Sequence, residues 1–208
     1  MPKADIGRGL SWAFDTFRRN AVAFLALAAV VMVTQFVAQV AQQVFNNAGA
    51  NAVLLLIVTV AFLLLSAFAA IGVDRAALRT TQGHEPSFAD MLTTQYLGKY
   101  VLFVLAYIGL TVLGLILCII PAFFVIFFLQ LGPFFVLDRG VGVGQAISES
   151  FNAIRNNVGA AAIMTILNVL VSLSGTLFFG VLTLLTLPFT ALFTAHMYRQ
   201  FNHEPIAS

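Results

Sequence analysis

The side chains able to do chemistry are few, and their spacing matches no reactive site. The three histidines, His84, His196 and His203, are the residues best suited to proton transfer or metal ligation near neutral pH. Their separation fits no metal-binding pattern, and His196, close to Tyr198 and Arg199, reads instead as an anchor at a membrane interface. The chain has no Walker loop, no G-x-S-x-G elbow, no HExxH helix and no paired acids beside a histidine. Its single cysteine, Cys118, sits in an apolar run without a partner and reads as a small packing residue. The expectation is a protein with no catalytic residue, no cofactor and no metal.

Uncharged polar residues within the apolar stretches form a second set. Gln35, Gln39 and Gln42 fall on one helical face at i, i+4 and i+7. They either line a polar cavity or, being near a helix end, meet water and neighbouring helices. In "LQLGPFF", Pro133 removes a backbone donor and frees a carbonyl, which predicts a kink with Gln130 as a local hydrogen-bond partner. Asn168 and the series Thr183, Thr186, Thr190 and Thr194 predict interhelical hydrogen bonds, and Pro188 a further kink. The same residues, Gln130, Asn168 and Thr190 above all, are the candidates for a polar cavity.

The elements carrying these residues follow from composition. With 61% hydrophobic and 9% charged residues in 208, and a mean hydropathy of +0.99, the apolar surface is too large for a soluble domain to bury. Three charge-free runs, Ala21 to Val73, Tyr100 to Leu137 and Val158 to Tyr198, organise the chain. At about 1.5 Å per helical residue, each greatly exceeds a hydrocarbon core of about 30 Å, so each is expected to fold back as two spans. "NNAGAN" at 46–51, Pro121 in "CIIPAFF" and "SLSGT" at 172–176 supply the breaks. The expected fold class is all-α integral membrane, with six transmembrane helices in three hairpins at 21–43, 52–73, 100–120, 121–137, 158–174 and 178–198. No Asp, Glu, Lys or Arg lies within these spans, which disfavours proton-coupled transport.

All ten Lys and Arg residues fall outside the runs and away from the breaks, on one side of an even-spanned protein. The positive-inside rule makes that side cytoplasmic, with both termini inside and the bacterial inner membrane as the location. A cleaved signal peptide over residues 1–41 would have a long basic region and a poor small-x-small site at Gln39, Val40 and Ala41. Basic residues so placed report topology rather than a nucleic-acid surface.

"ISESFNAIRNN" at 147–157 nearly repeats "LSWAFDTFRRN" at 10–20. The pairing matches Ser11 with Ser148, Phe14 with Phe151, Arg18 with Arg155 and Asn20 with Asn157, with apolar residues keeping one helical face. Each phrase therefore predicts an amphipathic interfacial helix leading directly into a span. "PSFADMLTTQYLGKY", with Phe88, Leu92 and Tyr96 on one face and Lys99 at its end, supplies a third by position and pattern. One membrane domain, 1–208, would then contain tandem units at about 4–73, 86–137 and 142–199. Asp74-Arg75 and Asp138-Arg139, each closing a hairpin, are the candidate bridges between units.

The stretch "IIPAFFVIFFLQLGPFFVLDRGVGVGQAISESFNAIRNN" resembles the membrane domain found beside some bacterial glycerophosphoryl diester phosphodiesterases and its stand-alone six-helix relatives. Pro121, Asp138 and the Ala146, Ser148, Ser150, Arg155, Asn157 pattern carry the likeness, while Ala122 departs from the glycine expected after the proline. The resemblance implies a fold and an association with lipids or the cell envelope, and no reaction. Composition and motifs together lead to a non-enzymatic, accessory inner-membrane protein that binds lipid, a larger membrane complex or its own copy. Its contact face would be rich in Phe123, Phe124, Phe127, Phe128, Phe134 and Phe135. The alternative is a transporter or exporter of an uncharged or amphiphilic molecule. A lipid-modifying enzyme completed by a partner ranks third.

Overall fold

The computed structural model describes residues 4–49, 51–87, 89, 93–117, 119–177 and 182–207, and for residues 63, 64, 67, 176 and 177 the backbone only. Regular structure in these residues is entirely helical: α1 (Ile6–Arg19), α2 (Ala21–Asn47), α3 (Ala52–Thr81), α4 (Leu97–Leu117), α5 (Ile119–Leu129), α6 (Gly132–Arg139), α7 (Val143–Asn156), α8 (Val158–Leu177) and α9 (Thr183–Phe201). Among the described residues, four helices are long and apolar enough to cross a membrane: Ala21–Asn47, Leu97–Leu117, Ile119–Arg139 and Val158–Gly175. Ala52–Phe62 is a shorter apolar stretch within α3. This is the build of a helical membrane protein.

The helix ends are set by local chemistry. Asp5 caps α1 by accepting the Arg8 N–H at 3.0 Å, and Asn51 caps α3 by accepting that of Leu54 at 2.9 Å. Asn20 and Asn157 close α1 and α7 in the same way. Each has its backbone N–H on a carbonyl three residues back, and its side-chain amide donates to the carbonyl four back, Thr16 at 3.2 Å and Ala153 at 3.0 Å.

Burial is strongly polarised along the helices. The buried core collects Ala13, Phe24, Leu27, Ile71, Phe103, Leu131, Phe135, Ile154, Met164, Leu192 and Tyr198, drawn from the charged ends of the long helices and from α1, α6 and α7. Toward the far ends the large apolar side chains are bare: Phe36, Leu56, Ile116, Leu117, Phe123 and Phe124 are each at least 60% exposed. Hydrocarbon chains are as apolar as leucine, so these surfaces need no protein cover in a bilayer. α9 is central, packing against α1, α2, α3 and α8, whereas α4 and α5 pack chiefly on each other and on α6 and α7.

Two glycines are required by the packing. A Cβ on Gly114 would lie 2.7 Å from the Ala122 nitrogen and 2.8 Å from its Cα, so α4 and α5 cross with their backbones nearly touching. Gly140 ends α6 at φ 63° with the Tyr96 ring beneath it, where a Cβ would come within 2.4 Å of the ring.

Several expectations are corrected. α4 ends at Leu117 and α5 begins at Ile119, so Pro121 sits in the first turn of α5, where the missing N–H has no helical partner to lose, and Ile120 is helical. Ser172–Thr176 is likewise inside α8, which runs to Leu177. α3 continues to Thr81, eight residues past the end of the charge-free run, because nothing in "DRAALRT" stops a helix. Of the third amphipathic phrase, Phe88 and Leu92 lie outside the described residues, as does Cys118. Thr93–Gln95 are not helical, Tyr96 has φ 60°, and Lys99 belongs to the first turn of α4, donating to the Gly140 carbonyl at 2.5 Å. Phe134 and Phe135 are buried on Tyr198 rather than offered to a partner. His196 is no interfacial anchor: it is 2% exposed, its ring tilted against that of Trp12 at 5.0 Å between centroids, and bonded to Gln200.

Candidate functional site

The break between α5 and α6 builds the first part of the site. With no donor on Pro133, the helix opens at Gln130 and Leu131, leaving carbonyls of the last α5 turn without their usual partners. Side chains replace them. Gln130 Nε2 donates to the Phe127 carbonyl at 2.9 Å, and the Ser150 hydroxyl, arriving from α7, donates to that of Phe128 at 2.7 Å. Gln130 Nε2 also donates to Thr165 Oγ1 of α8 at 2.9 Å. The expected kink is thus a full interruption that carries Gln130 to α8.

On the other side, Asn168 Nδ2 of α8 donates to Thr194 Oγ1 of α9 at 2.9 Å, and the Thr190 hydroxyl donates to the Leu187 carbonyl at 2.9 Å. Between these helices lies a cavity of about 300 Å³ whose polar lining is Asp74, Gln130, Asn168, Ser172, Thr190 and Thr194. An adjoining groove of about 370 Å³ shares Gln130, Asn168 and Ser172, adds Thr165, and is walled by Tyr107, Ile126, Val169 and Leu173. Such volumes suit a small or single-tailed molecule. Ile126, Val169 and Leu173 on the groove's rim are exposed, while Gln130, Thr165 and Asn168 on its floor are half-buried.

The sequence candidates therefore separate. Gln130, Asn168 and Thr190 come together, while Gln35 and Gln39 are exposed on α2 and line neither space. Gln42 makes a long bond to Thr59 of α3 at 3.4 Å. Asp74 was placed beyond a span by its charge, yet it faces the cavity from within α3. The missed signal was the uninterrupted helix-forming sequence on either side of it. Thr165 and Ser172 were also missed; single hydroxyls in an apolar helix carry no distinguishing pattern.

The remaining candidates belong to the charged base. Asp138 accepts from Arg199 Nη2 at 2.6 Å and Nη1 at 2.9 Å, and from the Tyr198 hydroxyl at 3.0 Å. Arg199 Nε donates to Thr81 of α3 at 3.1 Å, and Arg199 also pairs with Glu204. Arg139 pairs with Glu149 and Glu204, each at 2.6 Å. The Asp138-Arg139 dipeptide thereby ties α6 to α7, α9 and the C-terminal tail. Arg75 donates to the carbonyls of Thr93 and Gln95. Arg18 and Arg155 are exposed at the ends of α1 and α7.

Glu204 shows the electrostatics of this base. Partial burial alone would raise its pKa, but hydrogen bonds from Arg139 and Arg199 outweigh that and hold it below the ordinary 4.5. A wider opening of about 640 Å³ beside α1 contains Asp5, Arg8, Asp15, His196 and His203. Its polar groups serve the fold: Gln200 Oε1 accepts from the Asp5 N–H at 2.7 Å, and Trp12 Nε1 donates to the Ala207 carbonyl at 2.9 Å. No group of three or more His, Cys, Asp or Glu side chains able to hold a metal occurs among the described residues.

The chain is similar to uncharacterized proteins of Mycobacterium tuberculosis and Mycobacterium bovis, at 22% identity over 95% of this chain and 68% of theirs. No family model matches, and no solved structure matches.

Proposed function

We propose that this is a non-enzymatic, multi-pass protein of the bacterial inner membrane with an accessory role exercised by binding a lipid or another amphiphile between α4, α5 and α8. The supporting observation is the groove itself, with Gln130, Thr165 and Asn168 on its floor and Ile126, Val169 and Leu173 on its rim. The floor's donors are bonded within the protein, Gln130 to Thr165 and Asn168 to Thr194, and the acceptor lone pair of Asn168 Oδ1 remains for a ligand head group. In this reading six spans form three hairpins, α2–α3, α4–α5–α6 and α8–α9, and both termini are cytoplasmic. α1 and α7, each 14 residues long and ended by a matching asparagine, are the interfacial lead-ins of two related units. The resemblance to phosphodiesterase-associated membrane domains adds an envelope-lipid context. The exposed Phe123 and Phe124 would meet acyl chains or a membrane partner.

The test is extraction in polymer discs without detergent, followed by native mass spectrometry. A defined lipid or amphiphile should travel with the wild-type chain and be lost when Thr165→Leu and Asn168→Leu fill the groove. Equal retention by the filled variant would refute the reading. Reporters fused near Ala207 should be active only in the cytoplasm. Export of a neutral amphiphile is the competing function, favoured by the three lining residues that groove and cavity share; flux in vesicles without stable retention would decide for it.

A further inference from the structure

We propose that the cavity between α3, α6, α8 and α9 binds the ammonium group of a lipophilic amine, with the Asp74 carboxylate as counter-ion and the adjoining groove as the seat of its apolar body. This rests on the amphiphile-binding reading of the groove and narrows it to one chemistry.

Asp74 is the one charged side chain in the lining. Among the described residues it makes no hydrogen bond or ion pair. Its neighbour Arg75 is directed to the carbonyls of Thr93 and Gln95, and Arg199 is engaged by Asp138, Glu204 and Thr81. A carboxyl inside a helix bundle either takes up a proton or needs a cation beside it, and an ammonium ligand supplies that cation. Hydrogen bonding points the same way. Gln130 has both amide hydrogens committed, to Phe127 and Thr165, and Thr190 has given its hydroxyl hydrogen to Leu187. Lone pairs on Asp74, Asn168 and Thr190 remain.

An ammonium group supplies charge and several N–H donors at once. Divalent cations of the magnesium or calcium type need about six or more oxygen ligands, usually including several carboxylates, and a lone Asp74 does not provide them. An anion is repelled, and a neutral alcohol leaves the carboxylate uncompensated. Gln130, Asn168 and Ser172 belong to both spaces, so a ligand held at Asp74 can extend its chain past them onto Ile126, Val169 and Leu173.

The test uses the full chain in phosphatidylcholine nanodiscs and three ten-carbon probes: radiolabelled decylamine, decanol and decanoate. Decylamine should bind saturably and at least about tenfold more tightly than the other two. Asp74→Asn should weaken decylamine by about tenfold or more, Asp74→Glu should retain it within a few-fold, and Gln35→Ala should change nothing. If Asp74→Asn does not fold, the Asp74→Glu result and the ranking of the three probes on the wild type decide. Competition by phosphatidylethanolamine would make a lipid head group the natural ammonium source; lack of competition would make it a free amine. Either supports the assignment. Equal binding of all three probes, or unchanged decylamine binding by a folded Asp74→Asn, overturns the ammonium site and leaves the groove reading intact. If no probe binds and no lipid co-purifies, both fall.

Discussion

Arg199 and Asp138 face each other through two bonds, Nη2 to Oδ1 at 2.6 Å and Nη1 to Oδ2 at 2.9 Å, at only 7% and 10% side-chain exposure. A surface pair would contribute at most about 1 kcal/mol, but removing Arg199 leaves the sheltered Asp138 without a cation, at about 3–5 kcal/mol, whereas removing Asp138 leaves Arg199 paired with Glu204. Arg199→Ala should cause a loss of that order and Asp138→Ala a smaller one, read by denaturation in lipid discs. Asp138→Ala with Arg199→Met should recover part of it. Losses below about 1 kcal/mol for both single changes would mean that water already screens the pair.

Ser150 reaches across from α7 to the Phe128 carbonyl at 2.7 Å and is fully buried. Ser150→Ala should strand that carbonyl and destabilise by about 1–3 kcal/mol. Ser148, two residues earlier and exposed, is the control: Ser148→Ala should stay within about 0.5 kcal/mol. Indistinguishable melting curves for the two would refute the capping role.

Gly114 and Gly109 lie on the same helix, but only Gly114 meets another backbone; the space around Gly109 is empty to 4 Å. Gly114→Leu should force α4 and α5 apart and lower the melting temperature by several degrees, whereas Gly109→Leu should be nearly silent. Cysteine cross-linking across the α4–α5 contact, in a chain whose Cys118 is replaced by serine, would report the separation directly.

Acid should loosen the tail. Because the folded Glu204 has a pKa below its ordinary 4.5, its ionised form contributes stability that is fully present above that value and fades as pH falls through the lower, folded one. Melting temperature measured from about pH 6 down to about pH 3 should therefore drop more steeply for the wild type than for Glu204→Gln. Parallel curves would show that the Arg139 and Arg199 contacts do not tune this carboxyl.

The sequence made some elements plain and concealed others for identifiable reasons. Asn51 and Gly49 in "NNAGAN" are local turn chemistry, and the helices end where that chemistry predicts. A disturbance at Pro133 was legible too, as a kink, since a missing donor is a local fact; that it separates α5 from α6 was not. Asp74 was not: the end of a charge-free run was equated with the end of a helix, whereas α3 runs on to Thr81 and turns this carboxylate toward the cavity. Gln35 and Gln39 misled in the opposite sense, because helical periodicity shows that residues share a face but not which face is covered. The pairing of Gln130 with Thr165 and of Asn168 with Thr194 joins elements distant in sequence, and nothing local to either residue announces it.

The one-sided burial has a consequence for how this protein can be handled and how its sequence can drift. Its outer wall is made of solvent rather than residues, so Leu102, Leu105, Ile116 or Phe123 should exchange freely for any greasy side chain while Phe103, Ala122 and Leu131 stay fixed. Transfer into a micelle that fits poorly would peel away that borrowed wall first, leaving a knot of α1, α6, α7 and the inner end of α9 as the last part to come apart.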